Sequence, residues 1–383
     1  MQREQEGQPG SIIPARIHDD PTDRDHEIFL KIISTELTEE QKECVRTPPE
    51  TFPFTENVLA VHWHPEHVPM DLVADRLNTM YPNRVRELII PTQHNVLLTY
   101  DNWAGVEVDC YSQGFNQKVQ LLLHFEKERV EKADILKNML SHTFKYRSSQ
   151  LFEFIHALVA PDETKLEKAA RDTGTDRQVA EFVITHVKKI RKLIDHHSRI
   201  IPTVSLKNKL LRNFFEQLRE SYPPELIDRS QIFLKAVKTL VKEDFSLQHF
   251  YRASEVIEEA RLFGAGIVVP HPEQFWPILL ADYDVDGYEV WNPQSMRYTD
   301  FLISVILKKN RERSTGRKLL IFMGDDTHMG EKLVPPSALQ KEKALREIGV
   351  QNAWDDYGVQ KHLIKAGINK ENVILEYKQR LAG

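Results

Sequence analysis

The sequence predicts an α/β fold interrupted by a long helical insertion. Three observations carry this. Short β-branched or apolar runs of strand length recur toward both ends of the 383-residue chain. Helix-period segments lie between them, as in MDLVADRLNTMY after the first run and TDFLISVILKKNRER after the sixth. From Lys127 to Phe263 the 3.6-residue period takes over.

In order, the runs are VLAVHWH (58–64), ELIIPTQH (87–94), AGVEVD (104–109), VQLLLHF (119–125), AGIVVPHP (265–272), DGYEVWNP (286–293) and KLLIFMGDDTH (318–328). Their length and flanks read as buried parallel strands. In the middle, LFEFIHALV sets Leu151, Phe154, Ile155, Leu158 and Val159 on one helix face, and VAEFVITHVKKIRKLI does the same with Val179, Phe182, Val183, Val187, Ile190 and Ile194. KNKLLRNFFEQL follows, and its aromatics read as helix core. ASEVIEEARLFG ends at Gly264, a helix stop. From about Ser337 the chain is helical again.

Composition narrows the class. A hydrophobic fraction of 41% and a charged fraction of 28% suit a globular protein, and a net charge of −6 argues against a general nucleic-acid coat. Cys44 and Cys110 are the only cysteines, so no disulfide framework is implied and a reducing, cytoplasmic setting is expected. No apolar run approaches the roughly 20 residues that span a bilayer. Residues 1–25 are polar, contain prolines and lack the apolar core of a signal peptide, and read as a flexible tail.

The strand-like runs end in metal-ligand chemistry. His62 and His64 are two apart on a strand, so both leave the same face, and His67 follows in the loop. Asp326 and His328 repeat that spacing, while His94, Glu107, His124 and His271 sit singly at or near strand ends. Any one of these histidines alone has a hydrogen-bonded structural role as its competing reading. Jointly, in an α/β barrel, strand ends open onto one face. Nine imidazoles and carboxylates converging there require cations, and the donor set suits Zn, Mn or Fe. Nine ligands fit two or three ions, with Glu107 as a natural bridge.

These motifs resemble the polymerase and histidinol phosphatase (PHP) superfamily: HWH with His67, then PTQH, GVEVD, LLLHF, VVPHPEQF and GDDTH, over residues 57–125 and 264–335. The resemblance implies a distorted (β/α)7 TIM-like barrel with a large helical insertion between strands 4 and 5. It divides the chain into a tail (1–25), barrel (26–125), helical cap (126–263), barrel (264–335) and C-terminal helices (336–383). It implies one metal on His62, His64, Glu107 and Asp326, a second on His67, His94 and His328, and a third on Glu107, His124 and His271. The sequence departs from the family at Gln93, where an aspartate is usual, in the short span between His94 and Glu107, in the closeness of His67 to the HxH pair, and in the length of the insertion.

The implied activity is phosphoester hydrolysis by a metal-bound hydroxide, with His328 or a nearby acid protonating the leaving group. Arg297 is the candidate phosphate donor and Lys332 the second, a solvated surface charge being the competing reading for each. Asn292 and Asp109 are candidate neighbours, and alternation assigns Cys110 to the core. The basic runs Lys188-Lys189-Arg191-Lys192 and Lys207-Lys209-Arg212 read as wet helix faces. His186 reads as packed, and His196 and His197, being adjacent, are expected not to share a helix face. The expected substrate is a small phosphomonoester or nucleotide. The alternatives are a nuclease on short nucleic acid, a non-catalytic metal-stabilised interaction domain, and, last, C–N bond hydrolysis.

Overall fold

The computed structural model describes residues 18–160, 163–313 and 316–383. The expected tail lies outside the described residues as far as position 17, and from Asp23 the chain is already helical. The fold is mixed α/β and divides into two compact units, one of residues 18–36 with 145–246, the other of 37–144 with 247–383. Among the described residues no helix is long and apolar enough to cross a membrane.

The first unit is helical. It contains Asp23–Ile33, Tyr146–Val159, Glu163–Thr173, Arg177–His196, Lys209–Gln217 and Pro224–Glu243. Thr22 and Asp25 form a capping box that starts the first of these, and the Asp176 carboxylate accepts from the Val179 N–H to start Arg177–His196. Their apolar faces meet in a core of Phe29, Phe154, Phe182, Phe214, Phe215 and Phe233 with surrounding aliphatics.

Among the described residues the second unit holds every strand: β1 (Asn57–Ala60), β2 (Trp63–His64), β3 (Arg86–Ile89), β4 (Leu98–Tyr100), β5 (Trp103–Ser112), β6 (Gln117–Glu126), β7 (Gly266–Val269), β8 (Gly287–Trp291), β9 (Leu320–Met323) and β10 (Thr327–His328). Each strand-like run of the sequence overlaps at least one of them. They form three sets: a six-stranded sheet in the order β4-β5-β6-β7-β8-β9, the parallel pair β1-β3, and the parallel pair β2-β10. A single bridge, His94 to Glu107, lies between the end of the β3 run and β5. The sheets do not close into a barrel.

The expectation of parallel strands is corrected for part of the sheet. β4-β5, β5-β6 and β6-β7 are antiparallel, and only β7-β8 and β8-β9 are parallel within it. For β4-β5 and β5-β6 the physical reason is connection length, and β6, once reversed, meets β7 in the opposite direction. Parallel neighbours need a crossover of about a dozen residues or more, whereas β5 and β6 are joined by the short turn 113–116, with Asn116 at φ 49°. β4 and β5 are joined by Asp101, at φ 50°, and Asn102. The helix missing between His94 and Glu107 is thus replaced by a small hairpin.

The two units divide at other positions than the expected segments. The helical unit takes residues 18–36 and begins again at 145. The helices Asp134–Phe144 and Ala253–Leu262 belong to the second unit because Leu136, Met139, Leu140, Val256 and Ile257 join the core formed by Val106, Leu121 and Leu123. The C-terminal helix Lys370–Ala382 is likewise part of it, through Ile374, Tyr377 and Leu381. Gly264, at φ +68°, follows Ala253–Leu262 as expected of a helix stop.

Candidate metal centre

β1 and β2 carry His62 and His64 into the buried interior, both with no solvent exposure. Asp326 lies between β9 and β10, and its Oδ1 is 3.6 Å from His62 Nε2, 3.3 Å from His64 Nε2 and 3.6 Å from His328 Nε2. Glu107, from the middle of β5, stands on the other side. Its Oε2 is 3.6 Å from His64 Nε2 and 2.6 Å from His94 Nδ1, and its Oε1 is 3.5 Å from His271 Nε2. The imidazoles of His94, His64 and His328 stack, with neighbouring centroids 4.4 and 4.3 Å apart. Three overlapping groups result that could each hold a cation: His64, His94 and His328; His62, His64 and Asp326; His62, Glu107 and His271.

The donor atoms fit such ions. His62 Nε2, both ring nitrogens of His64, His94 Nδ1, both Glu107 oxygens and His271 Nδ1 are buried without a hydrogen-bond partner among the described residues. Each unsatisfied buried polar group costs about 1–3 kcal/mol. Two donors on one tetrahedral Zn would lie about 3.3 Å apart, close to most of the separations here. The backbone is bent to bring them in: His271 has φ 28° and Asp326 φ 47°, strained conformations for residues with a Cβ. Gly105 allows the β3 run to approach β5, since a Cβ there would meet the Pro91 carbonyl oxygen at 2.4 Å.

Electrostatics within the cluster is strongly coupled. Burial works against charge on His62, but the carboxylates of Glu289, Asp326 and Glu107 together outweigh it and lift the imidazole to about 10. Burial and the neighbouring His328 and His94 rings push His64 down to about 3. Burial opposes the charge on Glu107 and Asp326, yet the surrounding imidazoles hold both well below the usual carboxylate range.

Two expected ligands fall outside the three groups. His124 is buried with both ring nitrogens engaged, Nδ1 2.7 Å from the Tyr377 hydroxyl and Nε2 2.9 Å from the Val61 carbonyl. Because β6 runs antiparallel to β5, His124 pairs with Gly105, not with Glu107. The chain turns at Glu66, φ 55°, and the Glu66 carboxylate lies 3.5 Å from His328 Nδ1, while His67 belongs to none of the three groups. Gln93 supports this turn, its side-chain oxygen accepting from the Glu66 N–H at 2.9 Å.

The expected phosphate donors engage local partners. Arg297 is exposed in the turn Met296–Tyr298, its guanidinium carbon 4.6 Å from the Tyr298 ring centroid. Lys332 is buried against Glu347 at 3.0 Å, drawn there by a carboxylate that Arg76 shares. The buried cation beside the cluster is Arg346, whose Nη1 donates to the Asp326 carbonyl at 3.1 Å and lies 3.6 Å from Asp326 Oδ2. Asn292 is buried and accepts from the Gln294 N–H, while the Gln294 amide donates to Asp326 Oδ2 at 3.2 Å. Asp109 accepts from the Asn95 side chain at 2.6 Å and so anchors the residue after His94. Cys110 is in the core.

Sequence reasoning missed Glu289. Its Oε1 accepts from His62 Nδ1–H at 2.7 Å and its Oε2 accepts from the His271 N–H at 3.1 Å. The available signal was a carboxylate inside an otherwise apolar buried strand, GYEVW. A cleft of about 800 Å³ lined by Leu307, Lys318, His362 and Lys365 shares none of these residues.

Compared with known proteins, the chain matches no family model and no curated protein. Among solved structures it is similar to a crystal structure from Bifidobacterium adolescentis described as a putative metal-dependent phosphoesterase, at 14% identity and a TM-score of 0.39, covering 83% of this chain and 98% of that one.

Proposed function

We propose that this protein is a metal-dependent phosphoesterase with two or three divalent cations (Zn, Mn or Fe), acting on a small phosphomonoester or nucleotide. The observation that carries the reading is the buried meeting of His62, His64, His94, Glu107, His271, Asp326 and His328 with donor atoms left unpaired. Cations bound there would supply Lewis acidity toward a phosphoryl oxygen and lower the pKa of water. Asp326 and Glu107 would bridge neighbouring positions, since each faces at least two imidazoles. Glu289 would hold His62 in one tautomer, with Nε2 turned to the cluster. Arg346 and Gln294 would fix the Asp326 carboxylate. His328, the most exposed imidazole of the group, would hold the proton for the leaving oxygen with Glu66 beside it.

The scaffold belongs to the same reading. We infer a distorted (β/α)7 barrel with an interrupted ladder. Its support is the circuit of neighbours from β1 to β3, across the His94–Glu107 bridge to β5, through the sheet to β9, and from β10 back to β2.

The test is phosphate release by Mn- or Zn-loaded protein across phosphomonoesters and short oligonucleotides, with Asp326→Ala, verified as folded, as the control. Release lost at least about 100-fold in the variant supports the proposal. Silence across the panel with metals verified as bound overturns it.

A further inference from the structure

The helical unit contains a second group of imidazoles that takes no part in the chemistry above. His26 stands on the helix Asp23–Ile33, His196 is the last residue of Arg177–His196, and His197 is that helix's C-cap. Adjacent residues within a helix point about 100° apart. His197, however, has left helical geometry at φ −95° and ψ 12°, so its ring swings to the side of His196. Phe29, one turn beyond His26 on the same helix, stacks on the His197 ring at 5.6 Å and holds it there.

The three rings face one another as ligands of a single ion do. Their centroids are 5.1, 5.1 and 4.7 Å apart and their planes meet at 77°, 74° and 81°. One nitrogen from each lies within 4.8 Å of the others, and His26 Nδ1 is 2.9 Å from His197 Nε2. Three imidazoles at tetrahedral angles around Zn, with Zn–N near 2.0–2.1 Å, would place their centroids about 5 Å apart. Among the described residues none of the three rings pairs with a carboxylate; the one competing use of a lone pair is the hydrogen bond between His26 Nδ1 and His197 Nε2, which a shared ion would replace. The C-terminal end of a 20-residue helix adds a favourable potential for a cation.

We propose that His26, His196 and His197 form a separate three-histidine site for a borderline divalent cation, Zn²⁺ foremost, that clips the helix Asp23–Ile33 to the end of Arg177–His196. An all-imidazole set disfavours Mg²⁺ and Ca²⁺, and three ligands leave a fourth position open to water. The role is structural: the ion ties the N-terminal helix to the rest of its unit.

The experiment is Co²⁺ and Zn²⁺ titration of the full-length protein, reading metal equivalents, the visible Co²⁺ spectrum and thermal stability. His196→Asn alters an exposed side chain and preserves the fold; His26→Asn/His197→Asn removes the other two ligands. Expected are the loss of one metal equivalent and of its tetrahedral Co²⁺ band in both variants, and loss of a Zn²⁺-dependent rise in Tm, with phosphate release unchanged in His196→Asn. Asp326→Ala retains that equivalent. Equal metal content and equal spectra in wild type and His196→Asn would overturn the proposal, as would loss of the same equivalent in Asp326→Ala.

Discussion

Replacing Glu289 with glutamine isolates the contribution of the carboxylate behind His62. The native group accepts two hydrogen bonds at once, from the His62 ring at 2.7 Å and from the His271 backbone at 3.1 Å. Glutamine preserves the shape but offers one oxygen, so one of the two donors must face an NH₂ group. The residue is 1% exposed, and no water replaces the lost acceptor cheaply. Rotation offers no relief, because the carboxylate is packed against Gly324, where a Cβ would meet it at 2.3–2.6 Å. Loss of one charge-assisted hydrogen bond costs about 1.5–3 kcal/mol, which converts to roughly 10- to 150-fold weaker metal binding at His62. The assay is competition for Zn²⁺ against a chromophoric chelator, with circular dichroism to verify folding. Affinity within twofold of wild type in a folded variant would refute the assignment of Glu289 as the group that orients His62.

Three further outcomes are expected. His124→Ala leaves the Val61 carbonyl and the Tyr377 hydroxyl without their imidazole partner, so stability falls by about 2–4 kcal/mol in urea while metal content per chain stays unchanged; loss of an equivalent would return His124 to the ligand set. Glu347→Gln strips the carboxylate shared by buried Arg76 and Lys332, costing about 3–5 kcal/mol by denaturant titration. His186 is buried in the helical unit, and burial lowers its imidazole from 6.5 to about 4. As pH falls through that window the unfolded chain takes up a proton that the folded one refuses. The unit should therefore lose about 3 kcal/mol between pH 6.5 and 4, and His186→Leu should flatten this slope in unfolding curves taken across the range.

The sequence by itself determined most strand positions, though not the short β4 (Leu98–Tyr100), and much of the cluster, because both rest on local geometry. A strand repeats every two residues, so His62 with His64 and Asp326 with His328 were legible as pairs on one face. Apolar runs and helical periods marked the elements, and the chemistry of imidazole with carboxylate marked the ions they suit. Tertiary structure decided what spacing does not encode. The turn at 113–116 makes β6 antiparallel, and that direction takes His124 to Tyr377 and Val61. The backbone at Glu66 turns its carboxylate toward the cluster. Arg346 and Glu289 arrive from segments far along the chain, each chosen by a buried partner of opposite charge or by a hydrogen bond that forms only once the strands are assembled. His196 and His197 meet His26 because one residue at a helix end leaves helical geometry, a departure of a single pair of dihedral angles that no periodicity in the sequence announces.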